Sequence, residues 1–124
     1  MKNTRKAILL LTDISNAAEK IVTYTTDMNF TDFIDNEITI DAVIRNFSII
    51  GEAVSKIPMR LKDDYDNIEW RLLSDFRNRL VHEYFQIDFE VVWKITQEKL
   101  GDLVDLIDGI IKDLIDKNKE EYYD

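Results

Sequence analysis

The chain has 124 residues, 45% of them hydrophobic, with a formal charge of −9, three glycines, one proline and no cysteine. That length supports one domain over residues 1–124 with one core, and the apolar fraction excludes a disordered chain. Disulfides and thiolate metal sites are excluded, a turn-rich β fold is disfavoured, and the acidity opposes non-specific binding to nucleic-acid phosphates.

Residues 3–28 predict an amphipathic helix. Ala7, Leu10, Leu11, Ile14, Ala17, Ala18, Ile21, Val22 and Tyr24 recur at helical spacing and form one apolar stripe. Ile8 and Leu9 lie off that stripe and suit a partner contact. Asp13 spoils the apolar run as a signal peptide, and no stretch reaches membrane-spanning length. A cytoplasmic location is expected. Residues 27–37 predict a polar connection with two phenylalanines tucked in.

A second helix is predicted over 39–57 and is stopped by Pro58. Val43, Ile44, Phe47, Ile50, Val54 and Ile57 form its core face. Gly51 sits at the edge of that face, where a glycine costs about 1 kcal/mol against alanine. A close approach of another helix is the expected reason. Residues 59–67 predict a connection with at most one short helical turn. "DNIE" (66–69) has the form of a capping box, with Asp66 as N-cap and Glu69 three residues on.

A third helix is predicted over 68–84. Asp88 can cap a fourth, over 88–117, whose apolar stripe changes phase near Gly101, so a kink is expected there. Residues 118–124 predict a frayed charged tail. The whole reads as an all-α, up-and-down four-helix bundle with a kinked last helix.

The third helix carries "RNRLVHEYF" (77–85), which holds the single histidine. On a helical wheel Leu72, Leu73, Phe76, Leu80, Val81 and Tyr84 form an apolar arc, and Arg77 falls inside it. A half-buried arginine needs an anion. Glu52 or Asp75 can supply a carboxylate; a substrate phosphate also matches the guanidinium fork. Asn78 and His82 are four residues apart, so the amide can orient the imidazole. An arginine and a histidine can cleave RNA without a metal: the imidazole moves the proton and the guanidinium stabilises the charged phosphorane. The plainer alternatives are a salt-bridged arginine and a solvated histidine near a helix end. Metal chemistry has little to work with, since one histidine leaves only carboxylates, and "KDDYD" (62–66) suits a solvated loop.

"RNRLVHEYF" resembles the Arg-x4-His-x-Tyr signature of the HepT toxins of the HEPN superfamily, matched by Arg77, Asn78, His82 and Tyr84. "AVIRNFSIIGEA" (42–53), Trp70 and "IDFEVVWKI" (87–95) are similar to the family's flanking segments, so the likeness covers about 7–115. The chain departs from the family where Asp66 and Glu69 replace frequent prolines, Gln86 a common glycine and Gly101 a frequent proline. The resemblance implies an all-α homodimer with two motif helices around a shared cleft. It implies a metal-independent endoribonuclease acting on RNA, tRNA in some members, with Arg77 and His82 as catalytic residues and no cofactor. It further implies a type VII-like toxin–antitoxin pair, in which the nucleotidyltransferase MntA attaches AMP to the motif tyrosine, here Tyr84. On the wheel Tyr84 shares a face with Arg77, so an AMP group there would occlude the arginine. A competing reading is a non-catalytic helical subunit that binds nucleotide or a nucleotidyltransferase partner, which the charge of −9 favours.

Overall fold

A computed structural model describes residues 2–116, and among these every regular element is helical. In chain order they are α1 (Lys2–Thr25), α2 (Phe30–Ile34), α3 (Glu37–Lys56), α4 (Met59–Asp64), α5 (Trp70–His82), α6 (Phe89–Glu98) and α7 (Leu100–Asp116). A short 3-10 turn, Tyr84–Gln86, joins α5 to α6. The fold is the expected all-α bundle, with α6 and α7 together in the place of the fourth helix.

The long helices form a row: α5 packs on α3, α3 on α1, and α1 on α7. The core lies along that row. Ala7, Leu11, Ile14, Ala17, Ala18 and Ile21 of α1 are buried at helical spacing against Val43, Phe47, Ile50 and Val54 of α3 and Leu103, Ile107, Ile110 and Leu114 of α7. Val22 and Tyr24, expected on the α1 stripe, are instead exposed, and the helix stops at Thr25. There the buried Thr25 hydroxyl donates back to the Ile21 carbonyl. An apolar cleft of about 270 Å³ separates α5 from the α6–α7 joint, lined in part by Leu72, Phe76, Leu103 and Leu106.

Several local expectations need correction. The connection at 27–37 contains α2, capped by Asn29, whose side chain accepts from the Asp32 amide while Asp32 accepts from the Asn29 amide. Its Phe33 is wholly buried, with its ring centroid 5.2 Å from that of Trp93, and Phe30 meets Trp93 edge-on. The predicted capping box at 66–69 does not form: α5 starts at Trp70 with no side-chain cap. The packing of Ile68 and Trp70 sets that start, and the Trp70 indole N–H donates to the Tyr65 carbonyl at 3.0 Å. Glu69 turns away to accept from Lys99 at 2.7 Å, which holds the Lys99 ammonium above its usual pKa.

The break in the last helix falls at Lys99, two residues before Gly101. Gly101 has ordinary negative φ and open space around it, so glycine freedom does not cause the break. The expected change of phase is not seen either: Val92, Thr96, Leu100, Leu103 and Ile107 stay buried at steps of three and four residues straight through the break. The expected helix end at 117 and the tail at 118–124 lie outside the described residues.

Candidate active site

The site is built where α3 and α5 cross. Gly51 is the contact point. A Cβ added there would lie 2.0 Å from the Cβ and 2.6 Å from the Cγ of Arg77, and 3.2 Å from the Leu73 carbonyl. Only a residue without a side chain lets α5 come so near. The expected reason for a glycine in α3 is therefore a close helix approach, and the residue approaching is Arg77.

That approach fixes the arginine. Its stem lies over Gly51, in line with its place inside the apolar arc, while its head reaches the surface; the side chain is 30% exposed. Nη2 lies 3.1 Å from Oε2 of Glu52, whose side chain is 49% exposed. Nη1 donates to the Asn78 side-chain oxygen at 3.1 Å. Nε is buried and has no acceptor among the described residues. The guanidinium is thus held on two edges and incompletely satisfied on the third, although a buried donor without a partner costs about 1–3 kcal/mol. Asp75, the other candidate carboxylate, pairs with Arg71 at 3.8 Å instead.

Asn78 is therefore turned toward Arg77. Among the described residues no hydrogen bond joins it to His82. A neutral amide beside a charged fork makes the stronger bond, since charge-assisted hydrogen bonds exceed neutral ones. His82 is the last residue of α5 and is exposed.

The predicted helix over 68–84 is shorter at both ends. Glu83 has φ −124° and ψ 36°, its amide still bonded to the Arg79 carbonyl at 2.8 Å, and the 3-10 turn follows. Tyr84 therefore does not continue the α5 wheel, and its seven-residue spacing from Arg77 does not place the two on one helical face. Tightening of a last turn into 3-10 geometry is common at helix ends, and no glycine stands at this one to close it differently. Phe85, next in the turn, is 99% exposed.

Arg77 opens into a groove of about 390 Å³ between α1, α3 and α5. Leu10, Arg45, Glu52, Lys56 and Val81 line it with Arg77; His82 does not. The apolar cleft on the other side of α5 contains neither Arg77 nor His82. No group of three or more carboxylate, histidine or cysteine side chains suited to a metal occurs among the described residues. The groove cations Arg45 and Lys56 escaped the sequence reading. Their spacing to Glu52 along α3 was visible, but nothing in the sequence shows that this face borders Arg77.

Comparison with known proteins gives a consistent picture. The family described as "HepT-like: Ribonuclease HepT-like" matches residues 14–110. Two Methanocaldococcus jannaschii proteins named "Putative RNase" are each 36% identical to the chain. The matches cover 86% and 84% of this chain and 92% and 86% of those proteins. A Thermococcus cleftensis protein named "Probable ribonuclease HepT" is 39% identical over 83% of this chain and 92% of its own length. No solved structure matches the chain.

Proposed function

The chain is a ribonuclease of the HepT-like family, and from that premise we propose that it is a metal-independent endoribonuclease toxin acting through Arg77 and His82. The observation that carries this reading is the Arg77 fork, held over Gly51 and open to a groove on a chain that is otherwise acidic. An arginine placed so is shaped for phosphate.

The reaction runs as a transesterification. The ribose 2′-hydroxyl gives its proton to an imidazole, and the oxygen attacks the neighbouring phosphorus. The bond from phosphorus to the 5′-oxygen breaks, and that oxygen takes a proton from an imidazolium. The products are a 2′,3′-cyclic phosphate and a 5′-hydroxyl end. Arg77 stabilises the extra negative charge on the phosphorane, and His82 moves the protons. A homodimer with two motif helices around one cleft supplies two imidazoles, one for each proton transfer. Asn78 supports the site by steadying the Arg77 fork. Glu52 holds Arg77 until a phosphate displaces it.

The partner in this reading is an MntA-like nucleotidyltransferase antitoxin. It moves AMP from ATP onto the Tyr84 phenol oxygen and releases pyrophosphate. Tyr84 lies two residues past His82, so a bulky anion there crowds the end of α5 and repels substrate phosphate. The cytoplasm is the expected compartment, tRNA is one expected substrate, and no described helix is long and apolar enough to cross a membrane.

The test is RNA cleavage in EDTA by protein expressed without a nucleotidyltransferase, beside His82→Ala. Cleavage by the wild type alone, with cyclic phosphate ends, is expected. Absence of cleavage of total RNA and tRNA, with an intact mass showing Tyr84 unmodified, would replace this reading with that of a non-catalytic binding subunit.

A further inference from the structure

The groove beside Arg77 carries more positive charge than a two-residue catalytic site requires. Arg45, Ser48, Glu52 and Lys56 follow one another at three- and four-residue steps, so they form one ridge along α3, and all four line the groove. The groove holds the cations Arg45, Lys56 and Arg77 against the carboxylates Asp13 and Glu52. Its balance is therefore opposite in sign to that of the whole chain. Glu52 is shared, 3.1 Å from Arg77 and 3.7 Å from Lys56. Arg45 is exposed and has no ion pair among the described residues, although the groove contains Asp13 and its own helix carries Asp41 one turn earlier.

The spacing matters as much as the sign. Arg45 and Lys56 stand eleven residues apart on one helix, about 16 Å along its axis. Glu52, which marks the position of the Arg77 fork, lies between them, about 10 Å from Arg45 and about 6 Å from Lys56 along the same axis. Both outer side chains are long, so each can reach a neighbouring phosphate. A phosphate arriving at Arg77 displaces Glu52, and the same step loosens the hold of Glu52 on Lys56.

We propose that Arg45 and Lys56 are substrate-positioning residues that bind the RNA phosphates on either side of the one facing Arg77, so that the strand runs along α3. This rests on the ribonuclease reading above. Contacts of this kind set the register of the strand and carry no base information. They concentrate the favourable charge of an acidic protein on the path of its substrate.

The test uses the full chain carrying His82→Ala, so that RNA survives the measurement. A fluorescent single-stranded RNA is titrated at several salt concentrations. Arg45→Gln and Lys56→Gln are each expected to bind several-fold more weakly. Each should also reduce the slope of log affinity against log salt by about 0.7, the value for one phosphate contact on a single strand. Arg45→Lys should restore the slope, and Lys112→Gln on α7 should leave affinity at physiological salt unchanged. With His82 restored, the two glutamine variants should raise KM more than they lower kcat. Unaltered affinity and slope in both variants of a protein that cleaves RNA would overturn this assignment and leave the ribonuclease reading in place. A wild type that neither binds nor cleaves RNA would overturn both.

Discussion

The three glycines make a paired experiment on how the site is built. All three lie in helices with ordinary φ, so helix propensity alone says that each should gain about 1 kcal/mol on replacement by alanine. Packing separates them. Gly109 and Gly101 have nothing within 4 Å of an added Cβ, whereas at Gly51 it would lie 2.0 Å from Arg77 Cβ. Normal carbon contacts are about 3.5–4.0 Å. The obstructing atom is the first carbon of a side chain, which cannot swing away without its backbone. Relief therefore requires α5 to retreat from α3 by more than an ångström, opening the contact of Phe47 with Phe76, whose centroids are 5.0 Å apart. Overpacking of this kind costs about 1–3 kcal/mol and occasionally more. A 2.0 Å approach belongs at the severe end. After subtraction of the propensity gain, Gly51→Ala should destabilise by about 1–2 kcal/mol or more. Gly109→Ala should stabilise by about 0.5–1 kcal/mol, and Gly101→Ala by less, because it sits in the first turn of α7. Urea unfolding followed by circular dichroism at one fixed protein concentration reads all three. Gly51→Ala should also lose RNA cleavage at temperatures where it remains folded, because the Arg77 fork moves with the helix. A Gly51→Ala protein as stable as Gly109→Ala would refute the reasoning.

Other substitutions probe separate links. Phe33→Ala should cost about 3–5 kcal/mol by urea unfolding, because it empties a wholly buried site against Trp93. Asn78→Ala should weaken RNA binding yet leave the pH profile of cleavage in place, since its amide serves Arg77 and not His82; a displaced pH profile would contradict this. Glu52→Gln should raise RNA affinity by removing the competitor for the Arg77 fork, while stability changes by less than about 1 kcal/mol for so exposed a pair. Phe85→Ala should leave the stability of the chain within about 0.5 kcal/mol of wild type, because the ring is 99% exposed.

What the sequence disclosed, and what it withheld, follows the range of the interactions involved. Arg77 stood out because a wheel of thirteen or more residues is a strong periodic signal and a charge inside its apolar arc breaks the pattern. Gly51 stood out for the same reason, as a propensity cost without a local benefit. The choice between Glu52 and Asp75 as partner lay beyond the sequence, because it depends on which face of α3 meets α5. The α2 helix was missed since five residues hold less than two turns and show no period. Its cap, Asn29 with Asp32, is the signal that was available. The capping box at 66–69 was misread because Lys99, thirty residues away, claims Glu69. The break lies at Lys99, two residues before Gly101, and the buried stripe runs through it unrotated, so neither the glycine nor the apolar pattern of the sequence marks its position.

The net charge of −9 was the main composition-level argument against an RNA substrate. The order of the helices weakens it. Asp102, Asp105, Asp108, Asp113 and Asp116 all belong to α7, at one end of the row, where α7 packs on α1. Arg71, Arg77 and Arg79 belong to α5, at the other end, and Arg45 and Lys56 border it from α3. The groove at Arg77 takes none of its lining from α7, although the first turn of α7, with Asp102, faces α5 across the apolar cleft on the other side. Ion screening reduces an exposed charge strongly beyond about 8 Å at physiological salt. A phosphate at Arg77 therefore responds mainly to the α3–α5 groove and only weakly to the carboxylates of α7. The same argument sets an ionic-strength dependence. Lowering salt lengthens the reach of α7, so the gain in RNA affinity on dilution should fall below the straight line that local phosphate contacts alone would give. Replacing Asp102, Asp105 and Asp116 with asparagine should restore that line at low salt and change affinity little at physiological salt. An equal gain in affinity at every salt concentration would mean that the acidic helix faces the substrate path directly, and the separation argued from the helix order would be wrong.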